Sequence, residues 1–205
     1  MALTNCNTTL ASDLLKNCSD VVVGGLEKIA YLINREDVDI EATKATLVSG
    51  SNNIYSGLIL KTGKKGYKCS NITNEVTTKV DGTFNNKFQH TISGALLDDG
   101  DVAGGIIEAL SSNSGEFVAV VEYKYKDLNR SVSPGSSAFH IIGLDVPLTS
   151  EGQEIVNDKS SEDTDGGWSF ALSCTDGHAR TLWFAETYTA TKALFDALGT
   201  EVEGD

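Results

Sequence analysis

The chain has 205 residues and a formal net charge of −13, from 29 acidic and 16 basic side chains. That length fits one domain, since single cores stop growing near ~250 residues, and 40% AVILMFWYC with 20 glycines is ordinary globular composition. The charge has the wrong sign for a protein that binds nucleic acid by neutralising phosphates, and no apolar run nears the ~20 residues of a membrane span, so neither tight DNA binding nor a membrane partner is expected.

Residues 1–25 read as an N-terminal arm, in which Asp13-Leu14-Leu15 and Val21-Val22-Val23 precede a Gly24-Gly25 hinge. The opening Met-Ala-Leu-Thr-Asn-Cys has no basic start and no sustained apolar block, so a signal peptide is not expected and folding in a cytoplasm is. Cys6, Cys18, Cys69 and Cys174 are scattered without a C-x-x-C pair, which predicts free thiols rather than a disulfide framework or zinc site. The rest of the chain, 26–190, reads as a β-domain.

Strands are expected over 28–34, 54–61, 67–72 and 75–80, with Gly63-Lys64-Lys65-Gly66 and Asp81-Gly82 as hairpin turns. The clearest period of two follows. Phe84, Phe88, His90, Ile92, Gly94 and Leu96 share one face, and Asn85, Lys87, Gln89, Thr91 and Ser93 the other, the pattern of a half-buried antiparallel strand. Ala103, Ile106, Ile107 and Leu110 then form a helical stripe behind Asp101 as N-cap. Alternation returns in Phe117, Ala119, Val121, Tyr123 and Tyr125 against Glu122, Lys124 and Lys126, with a further strand over 138–144. Residues 145–167 form a long acidic excursion, read either as a solvated loop or as a reach toward a neighbour. Strands over 168–174 and 181–187 follow, with Asp176-Gly177 as a turn, and then a helix over 191–198 closed by Gly199 and an acidic tail, so that 191–205 form a C-terminal unit. The fold class is mainly β (α+β): an antiparallel β-sandwich or half-barrel with one flanking short helix and a short C-terminal helix.

Chemical motifs fail on spacing. Gly63-Lys64-Lys65 is no phosphate cradle, because Gly57 is one residue out of register and the flanks read as strands. A turn at Asp176-Gly177 separates Cys174, Asp176 and His178, which would otherwise hold a metal, and Asp163-Thr164-Asp165-Gly166 puts Leu172 where a calcium loop needs its acid. His90 reads as a hydrogen-bonded core residue and His140 as an outward strand residue. Tyr123, Tyr125 and Trp168 have core parity, which argues against a sugar platform. No catalytic residue, metal or cofactor is expected. Lys61, Lys64, Lys65 and Lys68 crowd positive charge into one short stretch, suited to docking on another acidic copy.

The order of elements, with Phe88-Gln89-His90-Thr91-Ile92, Ala103 to Leu110, Phe117 to Glu122, Phe139 to Leu144 and Asp165 to Leu172, resembles the tail tube proteins of tailed bacteriophages. These segments are similar to tube-like proteins of phages of gut Bacteroidales, including the crAss-like group, over roughly residues 50–190. The resemblance implies a virion structural protein, without catalysis, that joins neighbours' sheets into a closed ring of a tail tube or head-to-tail connector through which DNA passes. Its partners would be other copies of itself and adjacent tail or portal proteins. Contacts are then expected at the arm, at Lys61, Lys64, Lys65 and Lys68, and in the acidic excursion at Glu151, Glu154, Asp158, Glu162 and Asp163. Thr77, Lys79, Asn85, Lys87 and Gln89 would face the lumen. A capsid decoration or glycan-binding β-domain of a virion is the alternative.

Overall fold

The computed structural model describes residues 25–70, 72–81, 85–97, 100–112, 114–124, 134–151, 154–157 and 167–202. Residues 1–24 of the expected arm, Phe84, Tyr125, Lys126, Asp158, Glu162 and Asp163 lie outside the described residues. In chain order the elements are β1 (Leu26–Asn34), α1 (Ile40–Ala45), β2 (Ile54–Tyr55), β3 (Tyr67–Ser70), β4 (Thr73–Asp81), β5 (Asn85–Leu96) and α2 (Asp101–Ser111). They continue with β6 (Phe117–Tyr123), β7 (Phe139–Ile142), β8 (Val156–Asn157), β9 (Trp168–Asp176), β10 (Leu182–Trp183) and α3 (Tyr188–Ala197).

The protein is mainly β. One sheet runs β2-β10-β7-β6-β1-β3 and a second runs β4-β5-β9-β8. Alternation along the central strands of the larger sheet sends side chains into two cores. Tyr31, Ile33, Val118, Val120, Phe139 and Ile141 pack with Phe195 and Leu198 of the C-terminal segment, and with Val38, Leu58 and Leu60. Ala30, Leu32, Ala119, Val121 and Ile142 face Ile92, Phe170, Leu172 and Cys174 of the smaller sheet and Ile107 and Leu110 of α2. The molecule is therefore a sandwich with a helical layer over the back of its larger sheet; no barrel closes.

That third layer corrects the reading of β6 as half-buried. All its residues but Tyr123 are buried, Glu122 included, because α3 covers the face on which Glu122 was expected to meet water. The Glu122 carboxylate instead accepts a 2.6 Å hydrogen bond from the Tyr188 hydroxyl, with Lys192 Nζ at 3.9 Å. The helix itself starts earlier than expected, at Tyr188, because the Thr187 hydroxyl accepts from the Ala190 N–H and caps it. Helix α1 was not expected at all. It is six residues long, too short for a full amphipathic period, and is fixed by the Asp39 side chain accepting from the Ala42 N–H.

Residues 54–61 are not one strand. The hydroxyl of Thr46 accepts from the Gly57 N–H at 3.0 Å and donates to the Gly57 carbonyl at 2.8 Å, which pulls the chain out of the sheet after Tyr55. The segment then crosses the helical layer from one end of the larger sheet to the other, so β2 pairs with β10 in parallel and the antiparallel order is not universal. Gly63-Lys64-Lys65-Gly66 is consequently a crossing loop rather than a hairpin tip. Asp101 is the first residue of α2 behind Gly100 as N-cap, and Ile106 of the expected stripe is 44% exposed. Within 145–167, β8 pairs with β9, and a bridge between Thr149 and Ser173 ties down its start.

Two glycines have steric causes. A Cβ on Gly94 would lie 2.8 Å from the Phe170 ring across the strand pair, so the ring fills the space a side chain would take. Gly143 has φ +93°, and a Cβ there would lie 2.5 Å from the Phe117 carbonyl oxygen.

Candidate assembly surfaces

The sandwich has two open borders. Strands β3 and β4, consecutive in the chain, are each terminal in their sheets, and β2 and β8 are the terminal strands at the other ends. β4 is the longer edge, nine residues without proline that among the described residues pair only with β5. Among the described residues its outer N–H and C=O groups have no partner strand, the condition under which another chain's strand can add. Val76, midway along it, is 41% exposed although its register partner His90 is buried.

The outer face of the smaller sheet is polar. Thr77 stands opposite Gln89, Lys79 opposite Lys87 and Asp81 opposite Asn85, so the five residues expected to line a lumen occupy one parity of one β-hairpin. Thr91 and Ser93 of β5 and Ser169, Ser173 and Thr175 of β9 extend this face as a row of hydroxyls, with Thr91 paired to Ser173 and Gln89 to Thr175.

The four lysines are divided. Lys64 Nζ lies 2.8 Å from Asp37 and Lys65 Nζ 3.1 Å from Glu201, both within the chain, whereas Lys61 and Lys68 make no ion pair among the described residues. Asp37 is 4% exposed. Burial works against its charge, but hydrogen bonds from Lys64 and Asn34 and the positive field of Lys64 and Lys61 outweigh burial and hold its carboxyl below the ordinary value. The loop's backbone is also tied to the C-terminus: Gly63 N–H donates to the Val202 carbonyl at 2.7 Å, Gly66 N–H to the Leu198 carbonyl at 2.7 Å, and Val202 N–H to the Lys64 carbonyl at 3.1 Å. Glu151 and Glu154 are exposed and precede β8, the terminal strand of the smaller sheet.

Between the sheets lies a seam of polar groups. His140 is not an outward residue: it stands opposite Val121, on the face that meets the smaller sheet, with its ring 4.4 Å from that of Tyr123. Burial, then the charge of Arg180 and the proximity of His90, push the His140 imidazole down to about 3, so it is neutral at pH 7. The Asn74 side-chain N–H donates to the Tyr123 hydroxyl at 2.6 Å, and burial raises that phenol despite the bond. His90 is the hydrogen-bonded core residue expected, its Nε2 lying 2.9 Å from the His178 carbonyl. Burial and the nearby charge of Asp176 push the Cys174 thiol up to about 12, which leaves it protonated and unreactive. Asp176 accepts from the His178 N–H at 3.2 Å, closing the expected turn, and no cluster of three or more metal-ligating side chains occurs among the described residues. Trp183 is 1% exposed, so it is not part of an aromatic platform.

Comparison with protein-family models, with curated proteins and with solved structures found no significant match. Among the described residues no helix is long and apolar enough to cross a membrane.

Sequence reasoning located the polar face, because parity alone sets it. It missed the pairing of Lys64 with Asp37 and of Lys65 with Glu201. Their separation of 136 residues for the second pair leaves no local signal.

Proposed function

We propose that the chain is a virion structural protein of a tailed phage that assembles head to tail into a ring of the tail tube or connector, a conduit for DNA. The observation that carries this reading is the pair of sandwich borders left open among the described residues, above all the nine-residue edge of β4. A heterologous contact between unlike borders generates a ring when its rotation closes, and closure removes the exposed edges. The charges suit the same contact: Lys68 stands on the β3 border, Glu151 and Glu154 beside β8. In such a ring the face bearing Thr77, Gln89, Thr91 and Ser173 lines the lumen. Apart from Lys79 and Lys87, this face offers phosphates hydroxyls and amides rather than fixed cations, so DNA slides instead of adhering.

Sedimentation velocity with negative-stain microscopy tests the reading. Rings of fixed symmetry are expected for the wild type. Val76→Lys places a cation on the free edge at a position already open to solvent, and is expected to shift the chain to monomer with its melting temperature retained. A wild-type chain monomeric up to ~1 mM, or Val76→Lys assembling as the wild type does, overturns it.

A further inference from the structure

We infer that residues 8–18 of the chain's own N-terminal segment lie over the apolar cavity beside α2, with Leu10, Leu14 and Leu15 filling it. The cavity has a volume of about 400 Å³ and lies between α2 and the two sheets, walled by Leu32 of β1, Leu96 of β5, Leu110 of α2, Phe117 of β6 and Phe170 of β9. Tyr67, opposite Leu32 on the neighbouring strand, also lines it and is 54% exposed. The apolar surface continues along the outside of α2. Val102, Ile106 and Ala109 recur at i, i+4 and i+7, all open to water, and Ile106 and Ala109 belong to the cavity wall as well. A cavity that runs out into an apolar helix face is a seat for the apolar stripe of another helix.

The chain carries a matching stretch within reach. Residues 1–24 lie outside the described residues, and in their sequence Leu10, Ala11, Leu14, Leu15 and Cys18 recur at i, i+1, i+4, i+5 and i+8, with Thr9, Ser12, Asp13, Lys16 and Asn17 between them. That is the pattern of a helix with one apolar face. Eleven residues make a helix of about 16 Å, the length of α2 itself. The reach also fits: the cavity meets β1 at Leu32 and Asn34, about 20–26 Å along the strand from Leu26, and residues 19–24 span about 20 Å when extended. Gly25 supplies the turn, since its φ of +103° bends the backbone away from the line of β1 while its carbonyl accepts from the Lys124 N–H at 3.0 Å. A cavity of about 150 Å³ holds one benzene, so this one takes roughly two to three leucine-sized side chains. Because the segment is tethered, its docking is intramolecular and modest burial suffices. The site is separate from the edge of β4, and it sets residues 8–18 apart from the neighbour contact expected of the arm.

Cysteine cross-linking in the full chain tests the placement. In a background of Cys6→Ser, Cys18→Ser and Cys69→Ser, Leu14→Cys is combined with Ile106→Cys, oxidised with copper phenanthroline and followed on a non-reducing gel. An internal disulfide, seen as a faster-running monomer in most chains, is expected. Leu14→Cys with Leu47→Cys, exposed beside β2 at the other end of the larger sheet, is expected to stay open. Ala109→Cys takes the place of Ile106→Cys should that variant lose its cooperative melt. Leu14→Asp with Leu15→Asp, in the otherwise unaltered chain, is expected to uncover the cavity and raise the fluorescence of a hydrophobic dye at least ~3-fold. Covalent dimers in place of the internal link overturn the assignment in favour of a neighbouring copy's segment. No link at either α2 position, equal linking to Leu47→Cys, or dye fluorescence unchanged by the paired aspartates overturns it altogether. None of these readouts depends on ring formation.

Discussion

Acidification from pH 7 to pH 5 is expected to cost the fold about 2 kcal/mol through His140 alone. The imidazole is held down to about 3 in the folded chain, by burial first and then by Arg180 and His90, against 6.5 in an unfolded chain. A group with a depressed folded value contributes stability that is fully present above the unfolded value and is lost as pH falls toward the folded one. Between 6.5 and about 3 the unfolded chain therefore binds one more proton than the folded chain, and each pH unit costs about 1.4 kcal/mol once the unfolded imidazole is charged. Integrated from pH 7 to 5, where the unfolded imidazole is only partly charged at the start, this gives about 2 kcal/mol. The assay is urea unfolding at pH 7, 6 and 5 for the wild type and for His140→Gln, which cannot charge. The variant is expected to lose about 2 kcal/mol less than the wild type over that interval. Equal pH dependence in the two proteins, or a His140 ring resonance titrating near its unfolded value, refutes the reasoning.

Phe195→Ala is expected to lower stability by about 3–5 kcal/mol in denaturant unfolding, since the ring is fully buried between Tyr31 and Phe139, with centroids at 5.0 and 5.3 Å. Gly143→Ala is expected to cost about 2–4 kcal/mol by the same measurement, because its φ of +93° and the Phe117 carbonyl both oppose a side chain, whereas Gly177→Ala, facing open space, should change little. Lys64→Met removes the partner that keeps Asp37 charged. The Asp37 carboxyl is then expected to titrate higher than in the wild type, followed by its side-chain resonance in NMR; in the wild type, the stability from this pair is present above the ordinary carboxylate value of 3.8 and lost as pH falls through the lowered one. Cys174 is expected to resist alkylation at pH 8 in the folded chain, read by peptide mapping, and to react once urea unfolds it.

The amino-acid sequence by itself determined the long strands and their faces. In β5 and β9 the inward parity of His90, Ile92, Phe170, Leu172 and Cys174 follows from a period of two, because one face of that sheet meets water and the other meets the core. The same argument placed Thr77, Lys87 and Gln89 on the outer face. It broke down in β6, where Glu122 and Val120 share a buried face: a strand covered on both sides has no solvent to enforce alternation, and the covering helix arrives from 66 residues further along, where Tyr188 meets Glu122. The crossing at 56–66, the parallel pairing of β2 with β10 and the ion pairs of Lys64 and Lys65 were likewise decided only by the tertiary structure. Each joins groups far apart in the chain, and local propensity carries no record of what lies opposite once the chain has folded. The cavity beside α2 belongs to the same class, since its wall draws on six elements, β1, β3, β5, β6, β9 and α2, that meet only in the folded sandwich.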